Sequence, residues 1–476
     1  MRRAKIVNTL GPAVESHDGI KELIEAGMNV ARLNMSHGDY PEHQKRLDLV
    51  RSVSAELGIN VAALADLQGP KIRTGVFAKA EGESNGKIVL KKGDKFTITT
   101  DDIIGNQERV STTFKGLPGD CHPGDIILID DGNISLKVES VTDTDVNCVC
   151  IVPGPVSDHK GINLPGVPVS LPAMTEKDEE NLRWCLGVGI DLIALSFVRH
   201  GNDIDRVHQI MDEEGRRVPV IAKLEKPQAI ENLDSIIDNF DAVMVARGDM
   251  AVECPLEEVP LIQKTIIEKA RLQAKPVIVA TQMLESMIHN PRPTRAEAAD
   301  VANAILDGAD GVMTSAETSV GAYPGETVRT MAKIVESTEA HGLDKIAPIA
   351  WDPHTTGGII SKAATEVAER AEAKYLVSFT KSGDTARRLS RLRPSTPLLV
   401  FTPDETTTKT LAWTWGAQAV VTPVFQNSEA LYKWVNDYLR DNNLVAVGER
   451  VVVVSGSPMD VPGKTNDLRV LRIKEN

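Results

Sequence analysis

The stretch VPVIAKLEKPQAI, residues 218–230, joins an apolar, β-branched run to a proline that begins the next segment. Lys223 and Glu225 stand two residues apart at the end of this run. Alternate residues of a strand face the same side, so the ammonium and the carboxylate emerge together where the strand ends. Such a pair is suited to hold a metal ion and a phosphorylated substrate. The alternative is a buried ion pair without a ligand.

A second strand end of this kind follows in AVMVARGDM, where Asp249 comes directly after Gly248. Two carboxylates on neighbouring strand ends can share one Mg²⁺, because that ion usually takes one or two carboxylates together with substrate oxygens and water. The alternative is an ordinary Gly-Asp turn. Glu225 and Asp249 are therefore a candidate magnesium site.

Short apolar runs of this type recur along the chain and alternate with amphipathic stretches. The runs are AKIVNTLG, NVARLNMS, VAALADLQG, LIALSFV, VPVIAKLE, AVMVARGD, KPVIVATQM and DGVMTSAE. Near-continuous apolar strands that alternate with helices indicate a parallel sheet covered on its outer face. Eight such units predict an α/β fold, a (β/α)₈ TIM barrel with its chemistry at the carboxyl ends of the strands.

Two regions do not belong to these eight units. After the third strand the helical period is replaced by strand patterns separated by glycines: GKIVLKKGDKFTITT, GDIILIDDGNISLKV and VNCVCIV. These patterns predict an inserted all-β domain. Later the runs KYLVSFT, TPLLVFTP, AQAVVTP and RVVVVSG predict a C-terminal α/β domain. We assign residues 1–71 and 166–346 to the barrel, 72–165 to a β-barrel lid and 347–476 to the C-terminal domain.

The composition excludes several classes of protein. With 42% hydrophobic and 25% charged residues, the 476-residue chain is expected to be soluble and to bury a large core. A formal net charge of -14 argues against a nucleic-acid binder, which needs a basic face. No segment approaches the roughly 20 apolar residues of a membrane helix. The five cysteines lack zinc-site spacing and are expected to be free thiols in a reducing cytoplasm.

Other predicted strand ends carry polar residues as well. Arg32, Asn34 and Ser36 follow i, i+2, i+4 spacing, so one face of a strand presents a cation and two oxygen-bearing groups. Asp66 ends the third strand and Thr281 the seventh. The alternatives are a salt bridge between Arg32 and Asp66 on the rim, and a hydrogen-bonded core threonine at position 281. The convergence of so many basic and carboxylate groups on one rim favours a site.

Six motifs make the pattern specific: NMSHG, DLQGPKIRTG, KGINLPG, IAKLEKPQAIENLD, MVARGDMAVE and ATQMLESMIHNPRPTRAEAADVANAILDGADGVM. They resemble the successive motifs of pyruvate kinases, in family order and with family spacing from end to end. The resemblance implies transfer of a phosphoryl group from phosphoenolpyruvate to ADP, the last step of glycolysis. It also implies Mg²⁺, for which Mn²⁺ can substitute, and a homotetramer.

The resemblance also implies roles for individual residues. It implies catalysis by Lys223, Arg32 and Thr281; phosphoenolpyruvate binding by Arg32, Lys223, Gly248, Asp249 and Thr281; Mg²⁺ binding by Glu225 and Asp249; and nucleotide binding by Asn34, His37, Arg73 and Lys160. Lys160 would arrive from the insert, which closes over the site as a lid and excludes water.

A monovalent-cation site is implied at Asn34, Ser36, Asp66 and the Leu67 carbonyl. Family members that require K⁺ typically carry a glutamate where this chain has Lys71. A tethered ammonium can supply the positive charge that K⁺ otherwise provides, so we expect that K⁺ is not required. The alternative is that Lys71 points to solvent.

The last domain has a loop that resembles the allosteric phosphate-binding loop of the family. It consists of Thr380, Lys381, Ser382, Gly383 and Thr385. The resemblance implies activation of a homotetramer by a phosphorylated metabolite, AMP or a sugar phosphate, although Asp384 adds a negative charge beside the loop. The alternative is a plain helix N-cap by Thr385 or Asp384.

The sequence departs from the family pattern at Met35, Ala251, Thr314 and Ala316. None of these departures removes Lys223 or a predicted metal ligand, so activity is expected. Two other classes stay open: a non-enzymatic paralogue, and a Mg²⁺-dependent barrel lyase or aldolase that acts on a 2-oxo acid. A lyase or aldolase needs no ADP and no nucleotide lid.

Overall fold

The computed structural model describes residues 2–79, 86–457 and 463–475. The chain begins with three parallel strands and the helices between them. These are β1 (Lys5–Thr9), α1 (His17–Ala26), β2 (Val30–Asn34), α2 (Tyr40–Leu57) and β3 (Ala62–Asp66). A capping box of Asp39 and Glu42 begins α2, and Gly58, with φ +63°, ends it.

The insert follows β3 and consists almost entirely of strands. They are β4 (Lys87–Leu90), β5 (Lys95–Thr99), β6 (Arg109–Ser111), β7 (Ile126–Ile129), β8 (Ile134–Val141), β9 (Asp145–Val152), β10 (Gly154–Ser157) and β11 (Ile162–Asn163), with the short helix α3 (Leu117–Asp120). Six of them form a sheet in the order β11-β7-β8-β9-β5-β6, and β4 pairs with β10. The insert has its own apolar core.

The chain then completes the barrel. The strands are β12 (Leu192–Leu195), β13 (Val220–Leu224), β14 (Ala242–Ala246), β15 (Val277–Ala280) and β16 (Gly311–Thr314). The helices are α4 (Glu176–Gly187), α5 (Ile204–Glu213), α6 (Pro227–Glu231), α7 (Leu233–Asn239), α8 (Arg247–Glu253), α9 (Val259–Leu272), α10 (Arg295–Asp307), α11 (Ala316–Ser319) and α12 (Pro324–Gly342).

The C-terminal domain is a five-stranded sheet in the order β19-β18-β17-β20-β21. Its elements are α13 (Thr356–Arg370), β17 (Leu376–Phe379), α14 (Asp384–Ser390), β18 (Leu398–Thr402), α15 (Glu405–Thr410), β19 (Gln418–Val421), α16 (Ser428–Asp441), β20 (Arg450–Ser455) and β21 (Asp467–Arg472). Only β21 runs antiparallel to its neighbour.

Eight strands close the barrel in the order β1-β16-β15-β14-β13-β12-β3-β2. All eight are the runs predicted from the sequence, so the predicted fold class is confirmed. Strands β6, β10, β11 and β21 were not predicted, because each is short or lies at a sheet edge and carries a weak apolar pattern. The predicted domain boundaries at residues 71/72, 165/166 and 346/347 stay predictions.

The C-terminal domain packs against the amino ends of the barrel strands. Trp413, 2% exposed, joins the apolar cluster inside the barrel, which includes Val7, Val30 and Leu64. The Trp415 amide donates to Asp310, directly before β16, at 3.0 Å. One end of the barrel is therefore closed, and the carboxyl ends of the strands remain for a site.

In the part of the chain that the structure describes, no helix combines the length and the apolarity needed to cross a bilayer.

We expect Trp413→Ala to destabilise the barrel by about 3–5 kcal/mol, because it removes a large side chain from a closed core and leaves a cavity. Trp434→Ala is a matched control, since Trp434 packs on Phe401 within the C-terminal domain. Calorimetric unfolding of both variants measures the effect. A barrel transition in Trp413→Ala no lower than that of Trp434→Ala would contradict this role for Trp413.

Candidate active site

One buried carboxylate holds two cations at the carboxyl ends of β2, β3 and β13. Asp66, 1% exposed, accepts a hydrogen bond from Arg32 Nε at 2.8 Å and lies 3.3 Å from Lys223 Nζ. Burial opposes ionisation of Asp66, but the charges of Lys223 and Arg32 outweigh burial and lower its pKa. The salt bridge between Arg32 and Asp66 that was considered as the alternative is therefore present, but it is buried and Asp66 also contacts Lys223.

Lys223 is held on three sides. Its Nζ donates to Ser196 Oγ at 2.8 Å and lies 3.1 Å from Glu225 Oε1, in addition to its contact with Asp66. Burial lowers the pKa of Lys223, but Asp66 and Glu225 outweigh burial and raise it above its ordinary value. The ammonium therefore stays charged at physiological pH, with its position set by neighbouring side chains.

Glu225 has the properties of a metal ligand. It is fully buried, and its Oε2 accepts from the Phe197 amide at 2.7 Å. Its Oε1 lies 3.1 Å from Lys223 Nζ, in an ion pair without hydrogen-bond geometry. Burial raises the pKa of Glu225 to about 7; Lys223 opposes this rise, and the negative charge of Asp249 adds to it. A buried carboxylate beside a second carboxylate, Asp249, suits a divalent cation.

Metal binding here would rest on two carboxylates. Among the described residues no group of three or more His, Cys, Asp or Glu side chains could hold a metal ion. Glu225 and Asp249 would therefore leave the remaining positions to substrate oxygens and water, which is the arrangement that Mg²⁺ prefers. The residues present fit this ion.

Helix α8, which directly follows β14, and the turn after β15 bring Gly248, Asp249 and Thr281 together. The Gly248 amide donates to Thr281 Oγ1 at 2.7 Å, and a Cβ at Gly248 would come within 3.3 Å of that oxygen. Thr281 donates in turn to the Ala280 carbonyl at 2.7 Å, with φ at +72°. For a β-branched residue this is a strained conformation of a kind that clusters at functional sites.

The predicted nucleotide residues lie on two different parts of the molecule. Asn34 and His37 occupy the turn after β2, where the His37 amide donates to the Asn34 carbonyl at 3.2 Å. Arg73 and Lys160 lie on the two segments that enter and leave the insert, and Lys160 Nζ lies 2.8 Å from Asp130 of the insert. These residues can face one ligand only across the cleft between barrel and insert.

The predicted monovalent-cation ligands are Asn34, Ser36, Asp66 and Leu67. In this structure Asn34 Oδ1 accepts from the Ser36 amide at 3.2 Å, and the Leu67 carbonyl accepts from Ser196 Oγ at 2.6 Å. Lys71 Nζ forms ion pairs with Asp249 at 3.5 Å and with Asp131 at 3.8 Å. Its side chain is 23% exposed, so the alternative in which Lys71 simply points to solvent does not describe it.

The predicted effector loop lines a cavity in the C-terminal domain, through Thr380, Lys381, Ser382, Asp384 and Thr385. Gly383, with φ +82°, is the N-cap residue of α14 and has no side-chain capping bond, so neither Thr385 nor Asp384 is a plain N-cap. The Asp384 carboxylate accepts from Arg388 Nε at 2.7 Å. That ion pair neutralises the negative charge beside the loop.

Ser196 and Thr9 were not among the predicted site residues. Ser196 directly follows β12, within the run LIALSFV, and connects Lys223 to the Leu67 carbonyl. Thr9 ends β1 and accepts from Arg32 NH1 at 2.8 Å. Ser196 stands two residues after Ala194, which faces the barrel interior. A hydroxyl in that register at a strand end was the available signal.

The chain is similar to known proteins along nearly its whole length. Residues 1–328 match the family described as "Pyruvate kinase, barrel domain", and residues 359–471 match "Pyruvate kinase, alpha/beta domain". The pyruvate kinase of Corynebacterium efficiens is 53% identical over 475 residues, covering 100% of this chain and 98% of that protein. That of Mycobacterium tuberculosis is 51% identical over 475 residues, covering 100% and 99%.

A solved structure is similar as well. The crystal structure of a pyruvate kinase from Cryptosporidium parvum has a TM-score of 0.91 to this chain at 34% identity, and covers 99% of this chain and 96% of that one.

Proposed function

The chain belongs to the pyruvate kinase family and is a phosphotransferase, and we propose that its rim site moves the phosphoryl group of phosphoenolpyruvate to ADP. One observation carries the assignment of the site. A guanidinium and an ammonium converge on the buried Asp66, and the ammonium also lies 3.1 Å from the buried carboxylate of Glu225. Two fixed cations beside a metal-binding carboxylate suit a dianionic phosphoryl group better than the carbonyl of a 2-oxo acid.

In the proposed reaction a terminal oxygen of ADP forms a bond to phosphorus. The bond from phosphorus to the enol oxygen breaks, and that oxygen keeps the electron pair. Arg32 binds the phosphate of phosphoenolpyruvate, and Lys223 lies along the moving phosphoryl group, where its charge counts most in the transition state. Mg²⁺ or Mn²⁺ held by Glu225 and Asp249 would neutralise phosphate and carboxylate oxygens. The amides of Gly248 and Asp249 would hold the substrate carboxylate, which requires the Gly248 amide to leave its bond to Thr281 Oγ1.

Enolpyruvate then takes a proton at carbon 3 to become pyruvate. We assign Thr281 a role at this face of the substrate. Its hydroxyl accepts from the Gly248 amide and donates to the Ala280 carbonyl, so its own proton is already engaged. A threonine hydroxyl is also a weak acid, and a water chain behind Thr281 is the proposed proton source.

The insert is the proposed lid over the nucleotide. Asn34 and His37 would contact ADP from the barrel, and Arg73 and Lys160 from the insert. Closure would bring the two groups together and expel water, so that the phosphoryl group goes to ADP and not to hydrolysis. We further propose action in the cytoplasm, which the five free cysteines support, and assembly as a homotetramer.

The reaction is tested by measuring pyruvate formed from phosphoenolpyruvate with and without ADP. We expect pyruvate only when ADP and Mg²⁺ are both present. A non-enzymatic paralogue gives none under either condition, and a lyase or aldolase shows no requirement for ADP.

We expect Lys223→Met to lower kcat about 10³-fold with the fold and the substrate affinity largely kept, because its charge acts mainly in the transition state. Lys264→Met is the control, since Lys264 lies on the outer helix α9. Preserved kcat in Lys223→Met would contradict the assignment of Lys223.

Lys71 is the proposed substitute for K⁺. Its ammonium already neutralises Asp249, which supports a charge role at the site. We expect substantial wild-type activity without K⁺ or NH₄⁺, and an activity in Lys71→Glu that depends on added K⁺. Lys71→Met should fall between them. A wild-type protein that is nearly inactive until K⁺ is added would contradict this role, as would a Lys71→Glu variant indifferent to K⁺.

The loop at Thr380 to Thr385 is the proposed effector site. We expect AMP or a sugar phosphate to lower the half-saturating concentration of phosphoenolpyruvate. Ser382→Asp should abolish that response without changing the basal kinetics, because it adds a carboxylate to an exposed position of the loop. Ser52→Asp, on α2 of the barrel, controls for added surface charge. No response to any of these metabolites in the wild type would count against the site.

A further inference from the structure

Glu253, at the carboxyl end of α8, joins the barrel to the insert. Its Oε1 accepts from Lys226 Nζ at 2.5 Å and from Asn163 Nδ2 at 2.7 Å. The Glu253 side chain is 1% exposed and that of Lys226 is 17% exposed, so this is a buried ion pair. Asn163 belongs to β11, the last strand of the insert. Three separate chain segments therefore meet at one carboxylate oxygen.

Each barrel partner in this junction lies next to a proposed metal ligand. Glu253 follows Asp249 by four residues on α8, one helical turn away on the same face. The other end of α8 is fixed by the bond from the Gly248 amide to Thr281. Glu253 thus holds the carboxyl end of α8, which carries Asp249.

Lys226 directly follows Glu225. Its ammonium lies 5.7 Å from the centroid of the Phe197 ring, and the Phe197 amide donates to Glu225 Oε2. Phe197 has φ at +55°, a left-handed conformation that surrounding contacts must maintain in a non-glycine residue. Lys226 therefore links the support of Glu225 to the helix that carries Asp249.

The insert contacts this link at its hinge. Asn163 and Lys226 both line an apolar cleft between the barrel and the insert, together with Ile72, Ile162 and Phe197. The chain returns from the insert to the barrel through the segment that follows β11. Arg199 fixes that segment by donating to the carbonyls of Val169 and Leu171. Asn163, in β11, donates to Glu253 and so connects the insert to α8.

We propose that Lys226 and Glu253 are positioning residues that set the spacing of Glu225 and Asp249 for a divalent cation, and that Asn163 ties this spacing to the position of the insert. The proposal rests on the proposed function of the rim site. An ion pair that only stabilised the fold would not change the metal affinity when it is broken. The pair of Lys226 and Glu253 should change it.

A matched ion pair on the outside of the barrel provides the control. There Asp307 accepts from Lys264 Nζ and from Gln263 Nε2, so one buried carboxylate again binds a lysine and an amide. This pair connects α9 and α10 and involves no residue of the rim site. Lys264→Met therefore removes the same group as Lys226→Met from a pair outside the site, although Lys264 is 46% exposed and Lys226 is 17% exposed.

The test measures Mn²⁺ affinity by electron paramagnetic resonance, without substrates, and kcat separately. We expect Lys226→Met to weaken Mn²⁺ binding about tenfold or more, the loss typical of an outer partner of a metal ligand, and Lys264→Met to leave it unchanged. Lys226→Arg should recover most of the affinity. Wild-type Mn²⁺ affinity in Lys226→Met overturns the proposal.

A double variant separates position from stability. Lys226→Met combined with Glu253→Met replaces a buried ion pair by apolar groups of similar volume, which is often neutral for stability. We expect a melting temperature near that of the wild type, lowered only by the loss of the bond from Asn163 to Glu253, with Mn²⁺ affinity still weakened. Wild-type Mn²⁺ affinity in the double variant means that the pair is only structural and overturns the proposal.

A separate variant tests the contact between the insert and Glu253. Asn163→Ala should keep the Mn²⁺ affinity of the free protein but lower kcat, because the insert no longer shares the junction. Unchanged kcat overturns the part assigned to Asn163. Failure of the proposed function is distinguishable from all of these results, since it is the absence of ADP-dependent pyruvate in the wild type, whereas Mn²⁺ binding is measured without turnover.

Discussion

The carboxylate of Asp66 is the constraint on which the rim site depends. A guanidinium and an ammonium cannot be held close together in a buried place without a negative charge between them. Asp66 supplies that charge from the end of β3, and the cations of Arg32 and Lys223 keep it ionised despite its burial. The positions of Ser196 and Glu225 around Lys223 then follow from the order of the strands, which places β3 beside β2 and β12.

The same rim stores conformational strain that the barrel can maintain. Phe197, Thr281 and Gln282 all have φ between +54° and +72°, which non-glycine side chains disfavour. Thr281 is held by the Gly248 amide, and Phe197 by the carboxylate of Glu225. Thr281 and Phe197 thus each contact a group of the site, and the closed barrel supplies the rigidity that keeps these conformations in place.

The sequence predicted the barrel because each of its strands is an apolar run buried on both faces, and it predicted Lys223, Glu225 and Asp249 because strand ends and spacing bring them to one rim. It did not single out Ser196, because the apolar residues on both sides of this hydroxyl outweighed its register two residues after Ala194. Nor did it place the Lys71 ammonium against Asp249 and Asp131, because those contacts cross from barrel to insert and depend on the hinge. Local sequence patterns predict the helices and strands and where they end. Contacts between side chains of different domains can be identified only in the folded structure.

The insert enters and leaves the barrel through neighbouring segments. The Ile162 amide donates to the Ile72 carbonyl at 2.8 Å, and Arg73 pairs with Gly161 in an antiparallel bridge. Chain ends that lie as close as paired strands can be joined by a short turn at little entropic cost. The barrel therefore closes without help from the insert, and the insert has its own core. In evolutionary terms the two are separable modules, and a lineage can gain, lose or exchange the second while the first keeps its topology.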